Sequence, residues 1–522
     1  MRWALLVVLA VAAVLRLWNV DAVGISHWDA GSYTAGPYGV GPYGKAYILP
    51  FYAPPLVPTL CWLAFEAIAR VDTAAIVLMA FMGVAGVWAV FALGRALYGP
   101  GVALVAAAAL AGTEFHVIFS RQPVTDGTYT LLFTLALLSL WKAWWQGERY
   151  AYLTAGAWTG ACLLTKYHGF FPLVAFGGVL LLLPLARDRR LAPDGALLRG
   201  LKGLVLAGLV ATIPLAWLVL DIHLNIGIDE FRANRSQWMP ELGPWLIPQV
   251  GGYVARCLGE WVAWPVLGLA LVGYVVMALR RRTADLALLV WTGLFLATLP
   301  LYANYPRLLL PLLPPLALAA GLGACTLGSA LRRRADGGPG PMAPLLLAAL
   351  VLAIGAWDGR DALDVSDRGY ARAVEWLSTQ PADPLPDIFL TQHAILFYAG
   401  GGRAGDVAPG DRIPTAHGFL TYDEPGALEV LRRGEFRFLV SDLRALTLPA
   451  GFREALVDRE LNLQRAKTIP NPLPEPFVVN LEGFAGLDAL RRTDDDSAAA
   501  VEYREALTHL FIWRHRPGPG DR

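Results

Sequence analysis

PPLVPTLCWLAFEAIAR, residues 54–70, is the stretch on which the reading of this chain turns. It is apolar enough to suggest a membrane helix. Yet Pro54, Pro55 and Pro58 crowd its head, Glu66 lies inside it, and its length only just reaches the roughly 17–25 residues that a span needs. If it crosses, the basic clusters that follow all face outward: Arg95, the Lys142 to Arg149 connection, Arg187 to Arg190, Arg280 to Arg282 and Arg332 to Arg334. If it lies flat, all of them fall on the cytoplasmic side, as the positive-inside rule requires. The residues therefore predict a helix lying at the outer membrane interface.

Outward from that stretch the chain is a polytopic α-helical membrane protein. Of its 522 residues 56% are hydrophobic and 16% charged, against about 25% charged in soluble domains. Mean hydropathy is +0.47. The net charge of +1 gives no reason to expect a nucleic-acid partner. Spans are expected near 3–20, 73–95, 101–119, 127–145, 150–166, 169–186, 201–220, 260–279, 285–303, 307–331 and 342–357, about eleven in all. The first has Arg2 ahead of it and Arg16 within it but no clean A-x-A site, so it reads as an uncleaved span. Cys61, Cys162, Cys257 and Cys325 lie in apolar segments without CxxC spacing, so neither a disulfide framework nor a cysteine zinc site is indicated.

Residues 1–357 form the membrane module by this reading, and 358–522 an appended extracytoplasmic α/β domain. In the latter, PDIFLTQ, FRFLVSDL, PFVVNLEG and LFIWRHRP read as strands, while GALEVLRRGE and AGFREALVDREL read as helices.

The predicted topology sends the ends of several distant segments to one outer face. GISHWDAGSYTAG (24–36) brings Asp29, FSRQPVTDGTYTLL (119–132) brings Arg121 and Asp126, LLTK (163–166) brings Lys166, and YPRLLLPLLPPL (305–316) brings Arg307. Ionisable groups at the edge of a bilayer are costly unless paired or wet, which makes them functional candidates. The competing reading is that each acid caps a helix and each cation snorkels.

As a group they suit a sugar carried on a polyprenyl phosphate. A carboxylate such as Asp29 would take the proton of an acceptor hydroxyl, and Arg121, Lys166 and Arg307 would hold the departing phosphate. Tyr33 stands four residues from Asp29, and His27, Tyr167 and His168 flank the acid and the lysine. These four could line a sugar site, and His27, His168 and Asp126 could between them hold a metal. The metal is left open, and no organic cofactor is expected.

These motifs resemble, in order, those of the GT-C membrane glycosyltransferases, in the branch of protein O-mannosyltransferases and bacterial aminoarabinose transferases. The resemblance covers about residues 1–330: HWDAGSY after the first span, Pro54-Pro55-Leu56 opening the interfacial helix, Ser120-Arg121 through Asp126, Leu163 to Lys166, and Arg307 through Gly321.

It implies a polyprenyl-phosphate-linked sugar donor, transfer of one sugar with inversion to an extracytoplasmic acceptor (protein, lipid or glycan), and a plasma (inner) membrane location. Carried over by position, it makes Asp29 the general base, Asp126 the second acid, and Lys166 and Arg307 the phosphate ligands, with Arg121 in support. Two departures matter. Ala30 stands where many members have Glu after the first Asp, and Tyr305 precedes Arg307 where a Tyr more often follows. A transporter or flippase of lipid-linked sugars is the alternative, but the chain shows no internal repeat, and its ionisable residues gather at helix ends away from the midplane.

Overall fold

Each predicted span carries a helix in the structure, a computed structural model that describes residues 1–38, 54–148, 150–188, 195–225, 227–229, 232, 246–301, 305–334, 342–360, 363, 368–381, 383–391, 393–402, 419–421, 426–442, 451–452, 455, 463–471 and 509–515. The first helices are α1 (Arg2–Leu17), α2 (Trp28–Ala35), α3 (Leu56–Ala67), α4 (Asp72–Tyr98), α5 (Pro100–Gly112) and α6 (Glu114–Phe119). There follow α7 (Thr125–Trp145), α8 (Ala151–Leu163), α9 (Phe171–Leu182), α10 (Ala196–Asn225), α11 (Leu246–Trp261), α12 (Trp264–Arg280), α13 (Thr283–Thr298), α14 (Leu313–Arg334) and α15 (Met342–Asp358). Among the described residues five stretches are long and apolar enough to cross a membrane: Arg2–Ala22, Asp72–Tyr98, Ala196–Leu224, Thr283–Leu301 and Pro306–Ala330. The stretch that decided the topology is α3, a 12-residue helix, shorter than a span requires.

The core of the bundle is α5, whose residues from Val102 to Gly112 are all buried. It packs against α4, α14 and α15. In lipid, helix association depends on close packing of small residues. Here Gly112 faces Gly355 of α15 so closely that a Cβ would lie 2.9 Å from the partner's backbone. The predicted span 101–119 is therefore not one rod. It breaks at Thr113, whose backbone is extended, and resumes as the short α6. Arg16, fully buried in α1, is held through its terminal guanidinium nitrogens by the carbonyls of Ala12 (3.0 Å) and Ala111 (3.1 Å) and by Nδ1 of His116 (2.6 Å).

Two groups of helix ends meet at opposite poles of the bundle. At one, Tyr98, Asp188, Arg280 and Asp285 come together: Arg280 forks onto Asp285 (2.6 and 3.0 Å), Tyr98 donates to the same carboxylate (3.1 Å), and Asp188 accepts from both the N–H and the hydroxyl of Thr283 (2.8 Å each). The positive-inside reading assigned these ends to one side. At the other pole lie the starts of α2 and α7, the turn after α8 and the 3-10 helix Pro306–Leu312. Pro306 opens this turn at its first position, where its missing N–H costs no hydrogen bond.

The C-terminal domain has helices α16 (Gly369–Ser378), α17 (Ala394–Ala399) and α18 (Ala427–Arg433), and strands β1 (Asp387–Leu390), β2 (Phe419–Thr421), β3 (Leu439–Ser441), β4 (Leu463–Pro470) and β5 (His509–His515). They form one mixed sheet in the order β2-β1-β3-β5-β4, with β2, β1 and β3 parallel and β5 antiparallel to both its neighbours. The predicted strands PDIFLTQ, FRFLVSDL and LFIWRHRP correspond to β1, β3 and β5, and GALEVLRRGE to α18. PFVVNLEG and most of AGFREALVDREL lie outside the described residues.

Candidate active site

Gln122, a residue the sequence reading passed over, sets the start of α2. Its side-chain oxygen accepts from the N–H groups of Ser26 (3.1 Å) and His27 (3.4 Å), and its amide donates to the carbonyl of Gly24 (2.9 Å). His27 is the N-cap of α2, and its Nδ1 accepts from the N–H of Asp29 (3.1 Å). Burial, against the opposing pull of Asp29, pushes His27 from its usual 6.5 down to about 3, with Arg307 and Lys166 adding to the fall. The imidazole is thus a neutral capping group.

Asp29 sits one residue into α2 and Asp126 one residue into α7, whose N-cap is Val124. Neither acid is the cap of its helix. Both point at cations: Arg307 Nε is 2.9 Å from Asp29 Oδ2 and 3.6 Å from Asp126 Oδ2, while Lys166 Nζ is 2.6 Å from Asp126 Oδ1. The two carboxylates are almost fully buried, and the Lys166 and Arg307 side chains keep 12% and 17% of their surface exposed. Formally the cluster is two negative and two positive charges, and its open side is the cationic one. Asp126 Oδ2 accepts no hydrogen bond, so Arg307 reaches that oxygen as a charge only.

Lys166 is placed by the end of α8, where its N–H bonds back to the carbonyl of Cys162 (2.8 Å). Arg307 is placed by the 3-10 turn, with the ring of Tyr305 4.5 Å from its guanidinium carbon.

The other predicted site residues divide. Tyr33, one turn along α2 from Asp29, is buried and hydrogen-bonded to Thr125, beside Asp126. Burial first, then the charge of Asp29, raises its phenol well above the usual value, so it stays neutral. Tyr167 lies half-buried in the turn with Lys166. His168 packs its ring at 5.1 Å against both Tyr129 and Phe171, and burial, helped by Lys166, lowers it to about 3. Arg121 is buried and donates to the carbonyl of Trp18 at the end of α1 (2.8 Å). Among the described residues no three His, Cys, Asp or Glu side chains gather as a metal site. The proposed grouping of His27, His168 and Asp126 is therefore not formed: one histidine caps α2 and the other packs on aromatic rings.

A family model described as dolichyl-phosphate-mannose-protein mannosyltransferase matches residues 52–217, a stretch that includes Asp126 and Lys166 but not Asp29 or Arg307. No curated protein sequence matches the chain. Among solved structures, ArnT from Cupriavidus metallidurans bound to undecaprenyl phosphate aligns with a TM-score of 0.61 at 15% identity, over 88% of this chain and 96% of that one. The Archaeoglobus fulgidus oligosaccharyltransferase AglB, in complex with an inhibitory peptide and a dolichol-phosphate, aligns at 0.54 and 16% identity, over 85% and 69%. The same archaeal enzyme in complex with Zn and sulfate aligns at 0.53 and 15%. The chain has the GT-C membrane fold that its motifs resembled.

Proposed function

We propose that the chain is a glycosyltransferase that moves a single sugar from a polyprenyl-phosphate donor to a hydroxyl or phosphate oxygen of an extracytoplasmic acceptor. One observation carries the reading. Carboxylates from two separate helices share the guanidinium of Arg307, with Lys166 beside them, at the pole opposite the basic clusters. The family match and the polyprenyl phosphates bound by two proteins of the same fold agree with it.

Asp29 acts as the base. It takes the acceptor proton while the acceptor oxygen forms a bond to the anomeric carbon, on the face away from the phosphate. The bond from that carbon to the phosphate oxygen breaks with inversion, and polyprenyl phosphate leaves with the electron pair. Lys166 and Arg307 stabilise the charge that grows on the leaving oxygen. Their exposed side faces the approach that a lipid phosphate would use. Without donor, Arg307 neutralises Asp29. A donor phosphate competes for the guanidinium, which leaves Asp29 less compensated and more basic. Arg121, engaged by Trp18, braces the loop between α6 and α7, and Tyr33 presents a neutral phenol to the same space. The pole that carries Asp29 faces outward, and the membrane is a bacterial or archaeal plasma membrane.

The test is transfer from a synthetic polyprenyl-phosphate sugar by purified protein, comparing wild type with Asp29→Asn and Asp29→Ala. Removal of the base is expected to cost about 10²–10⁴ in rate, with donor binding kept. Unchanged turnover in both variants takes Asp29 out of the mechanism.

A further inference from the structure

Helix α2 has two faces. Asp29 and Tyr33 turn toward the charge cluster, while Trp28, Gly31 and Ser32 lie against the C-terminal domain. The indole of Trp28 stacks on the ring of His393, centroids 3.4 Å apart, and Ser32 Oγ is 3.0 Å from His393 Nδ1. Gly31 approaches the backbone of His393 and Ala394 so closely that a Cβ would overlap the His393 carbonyl, so only glycine allows the contact. Just before the helix, the N–H of Ile25 donates to the Tyr398 hydroxyl (2.9 Å), which itself donates to Asp72 Oδ2 at the start of α4 (2.8 Å). His393, Tyr398 and Asp72 are all buried.

These contacts come from one short segment of the C-terminal domain, residues 393–398, which leaves the carboxyl end of β1. The position is informative. In the order β2-β1-β3 the parallel strands flank β1 on both sides. The space outside the carboxyl ends of such strands is where open α/β sheets bind their ligands. Here the segment leaving that edge grips α2. An eight-residue helix has little stability of its own, so the line of its axis, and with it the aim of the Asp29 carboxylate, is set by what holds its two faces.

We propose that the C-terminal domain is the seat of the helix that carries the base, with Tyr398 and His393 as positioning residues for Asp29. This rests on the reading of Asp29 as general base. The domain thus serves catalysis through the position it gives Asp29.

The full-length protein in detergent is assayed as wild type, Tyr398→Phe and Gly31→Ala, with amide hydrogen exchange of residues 28–35 followed in the same samples. Tyr398→Phe removes one hydroxyl and its two hydrogen bonds. Gly31→Ala removes no hydrogen-bonding group and pushes the helix off its seat directly, through the clash of the new methyl with the His393 carbonyl. Both are expected to lower kcat roughly 10- to 100-fold, since a displacement near 1 Å suffices for that. Donor KM is expected to stay within about twofold, because the cations stay in place. Exchange in α2 is expected to speed up in both. Unchanged kcat and unchanged α2 exchange in the two variants overturn the proposal. If the wild type transfers no sugar at all, exchange still decides: faster exchange upholds the seat and leaves only the transfer reading to fall, and unchanged exchange removes the seat as well.

Discussion

The two poles of the bundle each bury a carboxylate against an arginine, and they differ in what is left over. Asp285 is fully buried and fully engaged. Arg280 forks onto both its oxygens, Tyr98 donates to Oδ1, and the N–H of Arg282 donates to Oδ2 at 2.8 Å. Its main partner is five residues away on the adjoining helix. Asp126, equally buried, has Lys166 on one oxygen and no hydrogen bond on the other, and its cations come from segments far along the chain. A buried charge with every lone pair satisfied is a lock. One that is compensated by charge but short of hydrogen bonds, beside cations with exposed surface, keeps capacity for a ligand.

The sharpest way to break this contrast is to neutralise each acid in turn. Asp126→Asn is expected to lower turnover by about 100-fold or more, as loss of a group at the reacting centre does, while thermal unfolding in detergent changes little. Asp285→Ala is expected to do the reverse. It strands Arg280 without its partner at a typical cost of about 3–5 kcal/mol, and the turnover of the molecules that stay folded is kept. If Asp285→Ala abolishes transfer at undiminished stability, or Asp126→Asn unfolds the protein, the two poles are not different in kind.

The contrast was half legible in the sequence. Charged residues at the ends of apolar helices are few, and basic clusters sort by side, so Asp29, Asp126, Lys166 and Arg307 could be named and assigned to one face. Convergence is a different matter, because no local pattern records that α2 touches residue 393. Gln122, Asp72 and Tyr398 act through contacts far away in the chain, and each looks like an ordinary polar residue in its own stretch. His27 and His168 were expected to line a sugar site, but what each one touches, the start of α2 for one and aromatic rings for the other, does not show in the sequence.

In the fold, hydropathy found the spans and missed the breaks. Thr113 interrupts an otherwise apolar run, and α11 lies almost wholly between the spans expected at 201–220 and 260–279. Strand β4 carries Arg465 and Lys467 on an exposed edge, so it lacks the apolar alternation that revealed β1, β3 and β5.

A smaller effect sharpens the contrast from the ligand's side. Polyprenyl phosphate, the donor's leaving half, is expected to stabilise the folded protein by about 2.7 kcal/mol at a hundredfold excess over its Kd. Uncharged polyprenol of the same length is expected to give much less. Arg307→Ala and Lys166→Ala are expected to weaken binding roughly 10- to 100-fold, the range of a lost charge-assisted hydrogen bond. Arg280→Ala, at the other pole, is expected to leave it unchanged although it lowers the starting stability. Equal protection of all three variants would mean that the lysine and arginine near Asp126 only snorkel.

The least effect concerns the boundary between scaffold and site at His27. Its folded-state pKa is depressed from 6.5 to about 3. Between those values the unfolded chain binds a proton that the folded chain refuses, so stability falls as pH drops below about 6.5, by at most about 1.4 kcal/mol per pH unit. Asn is as good an N-cap acceptor and does not titrate. His27→Asn should therefore keep the unfolding midpoint near pH 7.5 and flatten its decline between pH 6.5 and pH 5, with His168 still contributing its own share in both proteins. Parallel declines in wild type and variant would mean that the imidazole takes up its proton in the folded state. His27 would then be a second cation beside Asp29, after Arg307, and the line between the residue that caps the helix and those that form the charge cluster would have to be redrawn.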